Sequence, residues 1–414
     1  MHPFTLAALL ALAFSIEPTL SAADWPQFRG PDRSDKSSET GLLKFWSSGG
    51  PKQVWLIKNA GLGYSGISVV KGRVFTMGAR TDSDSQREYL IALDEKDGHE
   101  LWATPIGGLY VNNWGDGPRG TPTVDGDRVY ALGGQGDLIC AEAATGKPVW
   151  KATMKSLGGK VPGWGYCASV LVDGDKLICT PGGGQGAMAA LNKSTGAVVW
   201  QAKAFVDDAH YSSIITANIN GQHQLIQLTP KFITGVNAKD GQVLWQSDWQ
   251  GRTAVIPTPI QRDGQVYVTS GYGAGCKAVK VGAGNEVADV FANKVMKNHH
   301  GGVVLVGDHL YGYSDGSGWV CQDFKTGVEV WSSKAFGKGA VTYADGMLYC
   351  LEEESGTVAL VEASPKGWSE KGRFTLAPQT TLRKRDGRIW THPVVSNGKL
   401  FLRDQELIFC FAVR

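Results

Sequence analysis

Asp94-Glu95-Lys96-Asp97-Gly98-His99-Glu100-Leu101-Trp102 decides the fold, because it is not met only once. The same phrase has an acidic or amide residue, three variable positions, glycine, three more positions and tryptophan. It returns as Glu142 to Gly146 with Trp150, Asn192 to Gly196 with Trp200, Asn237 to Gly241 with Trp245, and Asp323 to Gly327 with Trp331. Successive tryptophans are 48, 50 and 45 residues apart, then 86, which is two units of 43. The period predicts a degenerate copy near Phe291 and a weaker one near Phe374.

Hairpin turns give an independent count. Lys71-Gly72, Asp125-Gly126-Asp127, Asp173-Gly174-Asp175, Asn220-Gly221, Asp263-Gly264, Gly307-Asp308, Asp345-Gly346 and Asn397-Gly398 each fall between two short runs rich in β-branched and aromatic residues. Glycine beside Asp or Asn suits a type I′ turn, whose two central residues need φ > 0. Each unit reads as four strands in roughly 45 residues, the size of a propeller blade. The expected fold is all-β, an eight-bladed β-propeller of four-stranded blades. Two stacked β-sandwich domains are the alternative, and the regular period argues against them. The C-terminal run from Trp390 to Val413 supplies three strands of a blade. Gln53-Val54-Trp55 matches the missing outer strand, so pairing the two ends would close the ring and remove free edges.

These features divide the chain into residues 1–23, an N-terminal arm at 24–52 and the propeller at 53–414. Phe4 to Ile16 is almost wholly apolar and small residues follow at Ser21-Ala22-Ala23, which reads as a signal peptide cleaved before Asp24. The expected location is periplasmic or secreted, with no transmembrane anchor, since no other stretch is apolar for long enough. There are 55 glycines among 414 residues, and with 14 tryptophans this suits many tight turns around a large core. The net charge of +2 comes without a basic stripe, so no nucleic-acid partner is expected. Seven cysteines leave at least one thiol unpaired. Cys140 and Cys321 occupy the slot held by Ala92, Ala190 and Gly235 in sister units, where cysteine acts as a small hydrophobe.

The Asp-x-x-x-Gly-x-x-x-Trp phrase with its Asp-Gly hairpins resembles the PQQ-repeat (quinoprotein-like) propellers over essentially all of the mature chain. In length the chain is most similar to the compact, BamB-like exported members. Trp25-Pro26-Gln27-Phe28-Arg29-Gly30-Pro31 resembles the opening of exported bacterial proteins of this class. The resemblance implies one of two functions. The first is a non-catalytic binding or scaffold protein of the cell envelope, with a protein or polysaccharide partner. The alternative is a dehydrogenase oxidising an alcohol or sugar with PQQ and calcium. The chain departs from the dehydrogenases in having no Cys-Cys pair and no Cys-x-x-Cys-His haem motif. Their calcium-ligating set has no residue-by-residue match here. No cofactor is therefore assigned with certainty.

In a propeller, the loops entering the innermost strands line one mouth of the channel, and here they carry the chemistry. Trp114, Asp116 and Arg119 fall in one such loop, Trp164 and Tyr166 in the next, and His210, His300 and His392 in others. Arg119 suits an anion, the tryptophans suit a flat ligand, and a histidine can exchange a proton near neutral pH. His210, His300 and His392 are thus the candidate catalytic residues, and Trp114, Asp116, Arg119, Trp164 and Tyr166 the candidate cofactor-binding ones. No metal site is expected. His299 and His300 are adjacent in a β-rich segment and should point to opposite faces. The charged stretch at 382–388 is expected to be a solvated loop.

Overall fold

The computed structural model describes residues 24–82 and 85–414; the stretch read as a signal peptide, 1–23, lies outside them. The described strands form eight four-stranded antiparallel sheets, one of which gains a short fifth strand. They are the blades of a propeller, at 68–108, 123–153, 171–201, 215–248, 260–293, 303–333, 339–375, and 394–412 with 53–57. In the eighth, Gln53–Ile57 pairs with Leu407–Ala412, Trp55 opposite Cys410, so the two ends of the chain close the ring as expected.

The repeated phrase has a direct packing reason. At four junctions the tryptophan that ends one blade lies on the turn glycine of the next. A Cβ at Gly98 would come within 2.9 Å of Trp55, at Gly146 within 2.5 Å of Trp102, at Gly196 within 2.7 Å of Trp150, and at Gly241 within 2.5 Å of Trp200. These glycines also sit at φ between +72° and +79°, where a side chain is strained. The indole N–H then bonds a carbonyl in the same turn, Trp55 to Glu95 at 3.0 Å, Trp150 to Lys193 at 3.0 Å and Trp331 to Ser364 at 2.9 Å. Phe291 takes the position in the degenerate fifth blade, with Gly327 of the sixth against its ring. Within each blade the small slot lies directly across the ladder from the aromatic residue: Ala92 opposite Trp102, Cys140 opposite Trp150, Cys321 opposite Trp331. Larger side chains there would displace the ring. All seven cysteines are free thiols.

The hairpin turns divide into two kinds. Lys71-Gly72, Asn220-Gly221, Asp263-Gly264, Asp345-Gly346 and Asn397-Gly398 have φ > 0 at both central residues, the type I′ pattern. At Gly126-Asp127, Gly174-Asp175 and Gly307-Asp308 only the glycine is positive. The glycine comes one position earlier there, which is the type II′ pattern, so the expectation of type I′ throughout holds for five turns of the eight.

The N-terminal arm enters the channel. Trp25 bridges to Val69 of the first inner strand, the Pro26 carbonyl accepts from Val124 of the second, and Lys36–Ser37 pairs in parallel with Tyr343–Ala344 of the seventh. Two arginines fasten it. Arg33, 3% exposed, donates to the carbonyls of Ser169, Val170 and Ile214 at the entry to the third and fourth inner strands. Arg29 donates to the Val303 carbonyl at 2.8 Å and pairs with Asp35 of the arm itself at 2.9 Å. These guanidinium groups satisfy carbonyls at the entry to inner strands on which the arm lays no strand of its own. Trp25, Phe28, Arg29 and Asp35 line a cavity on one side, while Asp32, Arg33, Ser34 and Lys36 line another on the opposite side.

Candidate functional site

Above the arm, the loops that enter the inner strands surround a cavity of about 350 Å³. The arm gives it a floor, so the propeller mouth is a blind pocket. Among the residues selected from sequence, Trp114, Arg119, Trp164, His300 and His392 line it.

Arg119 is held from several sides. Its guanidinium lies over the rings of Tyr64 at 5.0 Å and Tyr110 at 5.1 Å, and Nη2 donates to the Gly115 carbonyl at 2.6 Å. Trp114 is 43% exposed at the rim, with Trp390 behind it at 6.5 Å between ring centroids. Trp164 packs edge-on to Tyr211 across the cavity wall. His300 stacks on Trp390 at 4.5 Å with 19° between the planes, and burial holds it well below the usual imidazole range. His392 joins loop to floor: Nδ1 faces Asp35 Oδ2 at 2.9 Å and Nε2 faces the His300 carbonyl at 3.1 Å.

Three selected residues stand elsewhere. Tyr166 is 2% exposed in the core between the second and third blades, where its hydroxyl donates to the Pro181 carbonyl. Asp116 points to the outside of its loop and accepts from Lys384 at 2.7 Å. His210 accepts from the Val255 backbone N–H at 3.3 Å and braces that loop from behind. Their loops reach the mouth, but loop membership does not determine which face a side chain takes.

His299 and His300 do not diverge. They lie in a bend outside the strands, with ring centroids 3.8 Å apart, and both line the cavity. The alternation rule fails because it needs an extended strand. Lys338 donates to His299 Nδ1 at 3.0 Å and pairs with Asp315 at 2.8 Å. Burial, reinforced by Lys338, pushes His299 down to about 4. The neutral ring therefore carries its proton on Nε2.

Other lining groups come from parts of the blades that sequence reasoning did not connect to the mouth. Glu353 follows the second strand of the seventh blade, and burial raises its carboxyl to about 7 while Lys338 opposes the shift. It lies near enough to the Trp390 indole to be stabilised by its N–H, without the alignment of a full hydrogen bond. Tyr272 sits at the tip of a tight turn at φ +54°, 44% exposed, and packs edge-on to His299. Its Gly-Tyr-Gly setting was the one signal of it in the sequence. The stretch at 382–388 is not simply solvated: Lys384 reaches the Asn112 carbonyl and Asp116, and Asp386 and Arg388 line the cavity.

A PQQ–calcium pair would need a cluster of oxygen ligands beside the ring and cations for its carboxylates. Among the described residues, the one group of three His, Cys, Asp or Glu ligand atoms in mutual reach is Asp94, Asp97 and His99, an outer turn remote from the mouth. Of the four lining cations, Arg29, Lys338 and Arg388 already hold carboxylates, which leaves Arg119 alone for the several carboxylates of the quinone. The residues present do not make a fitted site for that pair.

Comparison with known proteins agrees with the architecture. The family model for outer membrane protein assembly factor BamB matches residues 86–333 and 277–405. The structure of BamB from Moraxella catarrhalis superposes with a TM-score of 0.62 at 15% identity, covering 87% of this chain and 99% of that one. Quinohemoprotein alcohol dehydrogenase from Comamonas testosteroni gives 0.62 at 10% identity, covering 94% and 80%. At such identities the likeness is one of fold. No curated protein matches in sequence. Repeat, eight-bladed closure and family match together place the chain in the PQQ-repeat β-propeller family of outer membrane protein assembly factor BamB, to which it belongs.

Proposed function

We propose that this protein is an exported binding propeller of the cell envelope, which captures a polysaccharide or protein partner in its blind mouth and carries out no redox chemistry of its own. The arm-floored, aromatic-walled cavity is the observation that carries this reading. Such a cavity combines apolar walls with a few convergent polar groups, as ligand sites do. The BamB likeness supports an envelope setting, and residues 1–23 supply the export signal in this reading.

Two titrations of the mature chain, followed by tryptophan fluorescence, test it. An envelope polysaccharide fraction is expected to quench saturably, and Trp114→Ala to abolish the quenching. PQQ with calcium is expected to do nothing. Saturable, calcium-dependent quenching by PQQ, together with dye reduction on an alcohol or sugar, would replace this reading with the dehydrogenase one.

A further inference from the structure

Four cationic side chains line the cavity, and they are not alike. Arg29 is paired with Asp35 at 2.9 Å, Lys338 with Asp315 at 2.8 Å and Arg388 with Glu354 at 3.1 Å. Arg119 has no carboxylate within ion-pair distance among the described residues, although the Tyr64 and Tyr110 rings and the Gly115 carbonyl hold its guanidinium in place. Glu88 is the carboxyl whose charge it influences. Both Glu88 oxygens are already taken, by the Tyr110 N–H at 3.1 Å and the Gly134 N–H at 2.8 Å, and burial holds that carboxyl up at about 7. A preoriented guanidinium with no counterion, facing an enclosed cavity, is a receptor for a carboxylate.

The rest of the wall says what carries that carboxylate. Trp114 and Tyr272 stand at the rim, 43% and 44% exposed, three to four blades apart in a ring of eight and hence on nearly opposite sides. Tyr272 keeps this place in a left-handed backbone conformation that a bulky residue rarely adopts. Two exposed aromatic faces suit a ligand with an apolar ring face that spans the mouth. Between them lie Lys338, Glu353, Glu354 and Asp386. A purely aromatic acid would strip water from those groups and return no hydrogen bonds. A ring bearing several hydroxyls returns both donors and acceptors.

We propose that the mouth binds a uronate-bearing glycan, with the carboxylate on Arg119 and the sugar faces against the rim aromatics. This rests on the binding-propeller reading and names the ligand class for the same site. No bond is made or broken.

Isothermal titration tests it with trisaccharides of galacturonate, mannuronate and guluronate, each with its methyl ester, and with 4-hydroxybenzoate. The ester keeps the sugar and hides the charge. At least one acid is expected to bind saturably, and its ester about tenfold or more weaker. Arg119→Ala is expected to lower the acid to the affinity of the ester and to leave the ester unchanged, with Arg119→Lys in between. The acid–ester comparison needs no variant, so a folding defect in Arg119→Ala cannot decide the outcome. The proposal is overturned by equal binding of acid and ester, by 4-hydroxybenzoate outcompeting every uronide, or by no uronide binding at all. If 4-hydroxybenzoate binds and Trp114→Ala weakens it, the mouth survives as the site and only the ligand class falls. If a uronide binds undiminished to both Trp114→Ala and Arg119→Ala, the mouth itself is not the site.

Discussion

The blade wall and the plugged mouth are built on opposite rules. Around the wall one contact recurs, Trp55 on Gly98, Trp102 on Gly146, Trp150 on Gly196, Trp200 on Gly241, and Phe291 on Gly327 where the tryptophan is lost. In the mouth the lining side chains follow no such repeat: the blades contribute different residues, and the floor comes from an arm outside the repeat. The wall is redundant, so one degenerate unit is tolerated. The mouth is singular, so each side chain there is replaceable only by changing what the cavity can hold. In the binding-propeller reading, scaffold and site are thereby separated.

Substitutions in the two regions sharpen that contrast. The largest effect is expected for Arg29→Ala, which leaves the buried Asp35 carboxylate with His392 as its one side-chain partner and unfastens the arm. A loss of about 3–5 kcal/mol in urea unfolding is expected; a loss under about 1 kcal/mol would mean the arm is not integral to the channel. Glu353→Gln comes next, and it should stabilise. The folded carboxyl titrates at about 7 and the unfolded one at 4.5, so the folded state holds the extra proton between these values. Wild-type stability from this group is whole below pH 4.5 and is lost as pH rises through 7. The variant should therefore exceed wild type by at most about 3 kcal/mol at pH 8 and match it at about pH 4.5. A gain independent of pH would show that burial of the charge is not the cause.

In the wall, Gly146→Ala places a Cβ at φ +72° and 2.5 Å from the Trp102 ring. A loss of about 1–3 kcal/mol is expected, with a matching drop in melting temperature. An unchanged melting temperature would mean that the glycine–tryptophan contact is not what the repeat preserves. The smallest effect belongs to Cys140→Ala, since alanine fills the same slot in sister blades as Ala92 and Ala190. Less than about 1 kcal/mol is expected. Burial pushes the Cys140 thiol up to about 11, so in the native protein it should resist alkylation until unfolding.

The wall was legible because its constraint repeats. A turn glycine, a small slot and an aromatic residue at fixed spacing can be compared copy against copy, and Phe291 was locatable from the spacing alone. The mouth was half legible. Its loops were found, and with them Trp114, Arg119, Trp164, His300 and His392. Loop residues have no periodicity to orient them, so Tyr166, Asp116 and His210 were included although they face away. Glu353 and Tyr272 were passed over because they follow strands of a blade and not the loops entering it.

The sequence by itself determined the number of blades, their four-strand composition and the closure of the ring, because these follow from local turn chemistry and from contacts between units adjacent in the chain. Only the tertiary structure decided that the arm closes the channel, that Asp35 meets His392 across 357 residues, and that Arg119 has no carboxylate partner among the described residues. Those relations join side chains from distant blades about a common axis, and no local pattern in the chain records which of them will meet.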